Sequence, residues 1–144
     1  MGVDLNIPPA LPGVLETVLY ARDLVPIEDF YRRVFGIRPF QAVAGRHLFY
    51  RLGSQMLLIF NPEASRIPPG HDALPVPPHG THGEGHVCFR TSRDDLVRWR
   101  HRLQSLHIPI EADFEWPRGG HSIYFRDPAG NCIEFAEPRI WGLQ

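Results

Sequence analysis

Alternating apolar and polar side chains mark two strands near the end of the chain. Residues 121–138 read HSIYFRDPAGNCIEFAEP, a strand-like run, a turn and a second strand-like run. The Asp-Pro-Ala-Gly sequence between the runs has the residue preferences of a type I turn. In the second run, alternation puts Ile133 and Phe135 on one face and Glu134 on the other. A carboxylate in mid-strand is costly to bury alone, so we expect Glu134 to face a partner, a cation or water.

The rest of the chain carries helix and strand patterns in a repeated order. Apolar residues three and four apart predict amphipathic helices over Pro26–Phe35 and Asp94–Leu106, the second capped by Ser92. Strand composition predicts four strands in each half of the chain. The predicted strands are Val14–Arg22, Arg38–Ala44, His47–Leu52 and Gln55–Asn61, then His86–Thr91, Ile108–Trp116, Ser122–Arg126 and Asn131–Glu137.

A strand-helix-strand-strand-strand unit therefore occurs twice, which predicts an α+β protein built from two βαβββ modules. The predicted organisation is an extended N-terminal arm (1–13), a first module (14–62), a Pro-, His- and Gly-rich linker loop (63–85), a second module (86–138) and a tail (139–144). Asn61–Gly85 contains six prolines, too many for a helix or a central strand. His79 and His82 in this region are interpreted as solvated loop residues, because glycines surround them.

Aligning the two modules pairs residues of equivalent position. The opening strands, LETVLYARDL and GHVCFRTSRDDL, place Glu16 opposite His86. The closing strands, which end in Asn-Pro and Glu-Pro, place Leu58 opposite Glu134. A one-residue gap places Leu57 there instead. In the second module, packing of the apolar residues against the helix turns His86 and Glu134 to the opposite face of the sheet.

Composition narrows the classes of function. The formal net charge of −1 argues against a nucleic-acid-binding surface. No apolar run approaches the ~20 residues that span a membrane, and the N-terminus lacks the features of a signal peptide, so we expect a cytoplasmic protein without a membrane partner. All 15 basic residues are arginine, which is typical of a GC-rich bacterial genome. Cys88 and Cys132 are too few for a disulfide scaffold, and we predict buried free thiols.

Three segments carry a resemblance to a known family: DLVPIEDFYRRVFGI after the first strand, GHVCFRT at the start of the second module and YFRDPAGNCIEFAEP at the end. Over residues 14–138 the chain resembles the vicinal oxygen chelate superfamily. This group includes glyoxalase I, fosfomycin-resistance enzymes, extradiol dioxygenases, methylmalonyl-CoA epimerase and metal-free bleomycin-binding proteins. The resemblance implies a glyoxalase-like fold, in which each module curls into a half-barrel cup and paired cups enclose a site. It also implies a homodimer.

The resemblance further implies up to four metal ligands, one in the first and one in the last strand of each module. In this chain the four positions hold Glu16, Leu57 or Leu58, His86 and Glu134. Because leucine does not bind metal, the implied ligand set is Glu16, His86 and Glu134, with open positions for water or substrate. One imidazole and two carboxylates suit a divalent ion such as Zn, Mn, Fe or Ni.

The function implied by the resemblance is that of a metal-dependent lyase or isomerase acting on a small oxygen-rich substrate. The metal would act as a Lewis acid, with Glu16 or Glu134 as general base. Four further side chains are expected to line the cup and bind the substrate: Tyr20, Arg90, Arg118 and Tyr124. The alternative is a metal-free binding or sequestration protein of the bleomycin-resistance type. Leucine at one ligand position, and Glu16 where histidine is commoner, favour that alternative.

Overall fold

Two four-stranded sheets, one from each half of the chain, form the frame of the fold. The computed structural model describes Gly2 and residues 4–144. The first half contains β1 (Glu16–Tyr20), α1 (Leu24–Phe35), β2 (Gln41–Val43), β3 (His47–Leu52), β4 (Gln55–Phe60) and α2 (Pro62–Ser65). The second half contains β5 (His86–Arg90), α3 (Arg93–Ser105), β6 (Ala112–Glu115), β7 (His121–Arg126), β8 (Cys132–Ala136) and a 3-10 helix (Pro138–Trp141).

The two sheets have the same topology. Their strand orders are β1-β4-β3-β2 and β5-β8-β7-β6. In each sheet the first strand pairs in parallel with the last, and the remaining pairs are antiparallel. The predicted α+β fold of two βαβββ modules is therefore confirmed. Among the described residues, no helix combines the length and the apolar character needed to cross a membrane.

Both long helices begin at a capping side chain. The Asp23 carboxylate accepts a hydrogen bond from the Val25 amide, so α1 begins at Leu24, two residues before the predicted start. Pro26 is tolerated in this first turn, where its missing N–H has no helical partner to lose. The predicted cap of α3 is confirmed, because the Ser92 hydroxyl accepts from the Asp95 amide.

The helices and the inner faces of both sheets share one hydrophobic core. Phe35, at the end of α1, contacts aromatic rings of the second sheet, with ring centroids 5.5 Å from Phe89 and 6.0 Å from Phe135. Tyr31 of α1 is fully buried and stacks on Tyr50 of β3 at 5.6 Å. Side chains of the two modules are therefore packed together rather than forming separate cores.

Hydrogen bonds from the turn between β7 and β8 join the modules at one point. The Asp127 carboxylate accepts from the Tyr31 hydroxyl at 2.9 Å and from the Asn131 side-chain amide at 3.0 Å. Asn131 also donates to the carbonyl of Tyr20 at 3.3 Å and accepts from the amide of Gly85 at 2.8 Å. The turn predicted from Asp-Pro-Ala-Gly is thus a bridge between β1, α1 and β5.

The linker is more ordered than its proline content predicts. A single helical turn, α2, lies where the sequence argued against a helix. Its start is favourable because Asn61 caps it and Pro62 occupies the first turn, where no amide donor is needed. His79, predicted to be solvated, is half-buried instead. Its Nδ1 lies 2.7 Å from the Tyr20 hydroxyl, and its ring packs edge-on against Phe60.

Candidate functional site

Each sheet has a face that points away from the helices, which we call the cup face. In β5, Val87 and Phe89 pack into the core as predicted, so His86 and Cys88 lie on the cup face. In β8, Ile133 and Phe135 are likewise in the core, and Glu134 lies on the cup face. Strand β7 adds Ser122 and Tyr124 to the same face, since Tyr124 is the register partner of Glu134.

His86 and Glu134 are neighbours on this face. The Nε2 atom of His86 lies 3.2 Å from Oε2 of Glu134. The Nδ1 atom of His86 lies 2.8 Å from the Cys132 carbonyl oxygen, which accepts but cannot donate. Nδ1 therefore carries the proton, and in the neutral ring Nε2 presents a lone pair to a carboxylate oxygen. Two acceptors repel at this distance unless a proton or a metal cation lies between them.

Glu134 is held by partners on its other oxygen. Its side chain is buried, and Oε1 accepts a 2.7 Å hydrogen bond from the Ser122 hydroxyl. The Ser122 hydroxyl in turn accepts from Nε1 of Trp116 at 2.8 Å. Residue patterns alone did not single out these two side chains. Ser122 was nevertheless detectable, because alternation along β7 puts it on the same face as Tyr124.

Tyr124 and Cys88 lie beside the same carboxylate as protonated groups. Burial, followed by the neighbouring Glu134, raises the pKa of Tyr124 to about 12. For the Cys88 thiol, partial desolvation by the surrounding side chains, followed by the neighbouring Glu134, raises the pKa to about 12. Both groups therefore carry their protons at neutral pH. The predicted burial of the thiols is wrong: Cys88 is exposed and Cys132 is half-buried. Both thiols lie on the cup face of this sheet, which is open to solvent.

The first sheet resolves which leucine is the counterpart of Glu134. Leu57 points into the core, and Leu58 lies on the cup face. Leu58 pairs with Val18 in the same register in which Glu134 pairs with Cys88. Leu58 is only 7% exposed and lies opposite Phe49, so this position is apolar.

Glu16 lies apart from the His86–Glu134 pair. It begins β1 and is exposed to solvent. Within Gly2 and residues 4–144, no three His, Cys, Asp or Glu side chains converge in a geometry that could hold a metal ion. A single chain brings together two of the three expected ligands, and the full set of Glu16, His86 and Glu134 stays a prediction.

The four residues expected to bind substrate occupy different places. Tyr124 is beside the pair, with its ring 6.3 Å from that of His86. Tyr20 lines a cavity of about 210 Å³ that also includes His86. Arg90 ends β5 and donates to the carbonyl of Gln144, whereas Arg118 is exposed in the turn after β6. Tyr124 and Tyr20 therefore adjoin the candidate site, and the role of all four stays a prediction.

Comparison with known protein families identifies the group to which this arrangement belongs. The family model of the Glyoxalase/Bleomycin resistance protein/Dioxygenase superfamily matches residues 13–135. The chain belongs to this superfamily. The expected relationship to glyoxalase-like proteins is thereby confirmed.

Solved structures of glyoxalase-superfamily and related proteins share the fold. Lactoylglutathione lyase from Agrobacterium tumefaciens is 42% identical, with a TM-score of 0.85 over 95% of this chain and 100% of that one. A virulence protein from Salmonella typhimurium is 22% identical, with a TM-score of 0.67 over 90% of this chain and 98% of that one. The fosfomycin resistance protein FosX from Mesorhizobium loti is 21% identical, with a TM-score of 0.58 over 89% and 93%. A comparison with curated proteins found no match.

Glyoxalase-superfamily proteins commonly use divalent metals, and the chemistry of the His86–Glu134 pair fits such an ion. Nδ1 of His86 donates to the Cys132 carbonyl, and Oε1 of Glu134 accepts from the Ser122 hydroxyl. The remaining atoms, Nε2 and Oε2, face each other. Metal-binding histidines and carboxylates are oriented in this way by outer partners. Catalytic sites for such ions commonly have three protein ligands, of which the pair could supply two.

Proposed function

We propose that this protein is a metal-dependent lyase or isomerase that acts on a small oxygen-rich substrate. His86 and Glu134 would hold a divalent ion, which is Zn, Mn, Fe or Ni. The observation that carries the proposal is the 3.2 Å approach of His86 Nε2 to Glu134 Oε2, with the tautomer of His86 set by the Cys132 carbonyl. The 42% identity to a lactoylglutathione lyase supports the lyase class.

In this proposal the third ligand, Glu16, comes from a second copy of the chain in a homodimer. Glu16 is exposed, and the cup face of the second sheet carries exposed Phe114 and Trp116. The N-terminal arm and the residues that follow it also expose apolar side chains, at Leu5, Ile7, Leu11, Val14 and Leu15. Apolar surface of this extent favours burial against another protein, and glyoxalase-family proteins typically form dimers.

The chain's own residues would then orient the substrate and move its proton. When bound, the divalent ion supplies Lewis-acid polarisation of a substrate oxygen. The Tyr124 phenol, which is protonated at neutral pH, can donate a hydrogen bond to a substrate oxygen near Glu134. The Glu16 carboxylate, when the ion does not hold it tightly, can accept a proton from the carbon next to a carbonyl.

Metal content tests the proposal directly. The protein is purified without added metal and then reconstituted with Zn²⁺ or Ni²⁺, and bound metal is measured by elemental analysis. We expect about one equivalent per chain in the wild type and a large loss in His86→Ala and Glu134→Gln. His101→Ala, which removes an exposed histidine elsewhere, is the matched control. Less than about a tenth of an equivalent in the reconstituted wild type would refute metal dependence.

Activity tests the class of reaction. The loaded protein is assayed for cleavage of lactoylglutathione, the compound in the name of the 42% identical relative. We expect activity that is lost in Glu134→Gln. Metal binding without this activity would support the metal site and indicate that the substrate is another oxygen-rich compound.

A second candidate is a metal-free binding or sequestration protein of the bleomycin-resistance type. The observation that favours it is the apolar cup face of the first sheet, where Leu58 lies opposite Phe49 in place of a ligand. Under this alternative the reconstituted protein holds no metal, and bleomycin raises its melting temperature in a thermal-shift measurement.

A further inference from the structure

Two hydrogen bonds leave the hydroxyl of Ser122 a single direction for its proton. The indole N–H of Trp116 can only donate, so the 2.8 Å bond makes Ser122 Oγ the acceptor. The one proton of the hydroxyl then remains for Oε1 of Glu134 at 2.7 Å. Ser122 is completely buried and Glu134 is 5% exposed, so water does not compete for this arrangement.

The consequence for Glu134 is that its two oxygens are no longer equivalent. Oε1 is engaged by Ser122, and Oε2 is left facing Nε2 of His86. A free carboxylate can rotate about its last torsion, which is broad and roughly two-fold. The Ser122 donor on Oε1 restricts that rotation, so Oε2 stays directed toward Nε2 of His86.

We propose that Ser122 is a positioning residue for the metal site, and that Trp116 sets the direction of the Ser122 hydroxyl. Through Ser122, the carboxylate of Glu134 is held so that Oε2 binds the ion together with His86 Nε2. The inference rests on the proposed metal-dependent function. It adds two residues to the site that bind neither metal nor substrate.

The first module offers an internal comparison that supports the link. The register of β3 with β4 makes His47 the counterpart of Ser122, just as Leu58 is the counterpart of Glu134. There, the ring of His47 is buried and stacks on Phe49, and neither ring nitrogen has a hydrogen-bond partner among the described residues. Where the carboxylate is absent, the hydroxyl donor is absent as well. In this chain, the sheet that has the carboxylate is therefore also the one that has the hydroxyl donor.

The test measures Zn²⁺ affinity by titration calorimetry on the metal-free full-length protein, with melting temperature recorded for every variant. We expect Ser122→Ala to weaken Zn²⁺ binding about 10- to 100-fold, the usual effect of losing a residue that orients a metal ligand. Ser122→Thr keeps the hydroxyl and should restore most of the affinity. Ser65→Ala removes another buried serine hydroxyl, one bonded to the His79 carbonyl, and should leave affinity unchanged.

Trp116→Phe provides a second line of evidence that does not alter Ser122. It keeps an aromatic ring against Phe114 but removes the N–H donor. Loading with Co²⁺ then reports ligand geometry through the visible absorption of the ion. We expect a changed Co²⁺ spectrum and weaker Zn²⁺ binding, in the same direction as Ser122→Ala and smaller. If Ser122→Ala does not fold, Trp116→Phe alone tests whether the Trp116–Ser122 hydrogen bond positions Glu134.

The outcomes separate this inference from the proposed function. Tight Zn²⁺ binding by the wild type, with Ser122→Ala within about twofold of it, would overturn the positioning role and leave the metal site standing. An unchanged Co²⁺ spectrum in Trp116→Phe would overturn the role of the indole. Absence of Zn²⁺ binding by the wild type would overturn the proposed function and this inference together.

Discussion

Glu134 and His47 are buried polar side chains on the cup faces of the two sheets, and they are accommodated in different ways. Glu134 satisfies its carboxylate with Ser122 and faces His86. His47, at the position equivalent to Ser122, instead packs its ring face to face on Phe49, with centroids 3.9 Å apart. The cup face of the first sheet thus packs a buried imidazole among apolar side chains, whereas that of the second holds a carboxylate beside the imidazole of His86.

Burial of His47 leads to a prediction about acid sensitivity. Burial, followed by the charge of Arg46, lowers the pKa of His47 below its usual value. The unfolded chain then binds a proton at this residue more readily than the folded protein. The free energy of unfolding should therefore fall as pH drops below about 6.5, the ordinary pKa of histidine.

His47→Phe tests this by removing the titrating group while keeping a flat ring beside Phe49. Urea unfolding at pH 7.5 and pH 5 should show a smaller loss of stability in the variant than in the wild type. His101→Phe, at an exposed site, should keep the wild-type loss. An equal loss in His47→Phe and the wild type would contradict the prediction.

At the scale of elements, hydrogen-bonded ion pairs as well as core packing hold α3 against its sheet. Arg100 of α3 donates two hydrogen bonds to Asp113 of β6. His121 of β7 bonds the same carboxylate and also Glu115. These contacts lie on the helix side of the sheet, away from the cup face. Their effect is therefore on the stability of the second module and not on the candidate site.

Asp113→Asn should destabilise the protein at neutral pH and weaken its acid sensitivity. The hydrogen bond from Arg100 is the main cause that lowers the pKa of Asp113 to about 2. A lowered carboxyl pKa stabilises the folded state above pH ~4, and that contribution is lost as pH falls toward about 2. Because Asp113 is partly solvated, we expect a loss of about 1 kcal/mol at pH 7.

Chemical unfolding of wild type and Asp113→Asn at pH 7 and pH 3 measures both effects. The difference between the two proteins should be smaller at pH 3 than at pH 7. Asp94→Asn, in the exposed first turn of the same helix, is the control. A constant difference across this range would show that the ion pair does not account for the change.

The elements themselves were largely predictable because their signals are local. Periodicity and the Ser92 cap located α3 to within a residue at each end, and the limits of β3 are as predicted. The start of α1 was predicted two residues late because apolar periodicity does not reveal the Asp23 cap. The one-turn helix α2 was missed because proline was counted as a helix breaker, although it is favoured in a first turn.

At the scale of the whole molecule, the two modules depend on a few buried polar contacts. Asn131 is 1% exposed, and its side chain joins Tyr20, Gly85 and Asp127. Asn131→Ala would leave buried backbone groups without partners, which costs about 1–3 kcal/mol for each such group. We therefore expect a loss of about 2–4 kcal/mol in the free energy of unfolding. Urea unfolding measures it, with exposed Asn6→Ala as control, and a loss within error of that control would refute the bridging role.

The proposed homodimer leads to a complementation test. If Glu16 of one copy completes the site formed by His86 and Glu134 of the other, Glu16→Ala and Glu134→Gln should each be inactive alone. Mixing equal amounts, with partial unfolding and refolding to exchange subunits, yields mixed dimers with one intact site. Activity should recover to about a quarter of the wild type, because half of the dimers carry one intact site of two. No recovery in verified mixed dimers would place the ligands within one chain.

Local rules by themselves determined the order of the elements, the repeat of two modules and the faces on which His86 and Glu134 lie. Alternation and helical periodicity depend only on neighbours along the chain, so they can be read before folding. The tertiary structure alone decided that Leu58 is the counterpart of Glu134, that Ser122 and Trp116 support it, and that Glu16 lies apart. These features depend on strand register and on contacts between residues distant in sequence, which local patterns do not specify.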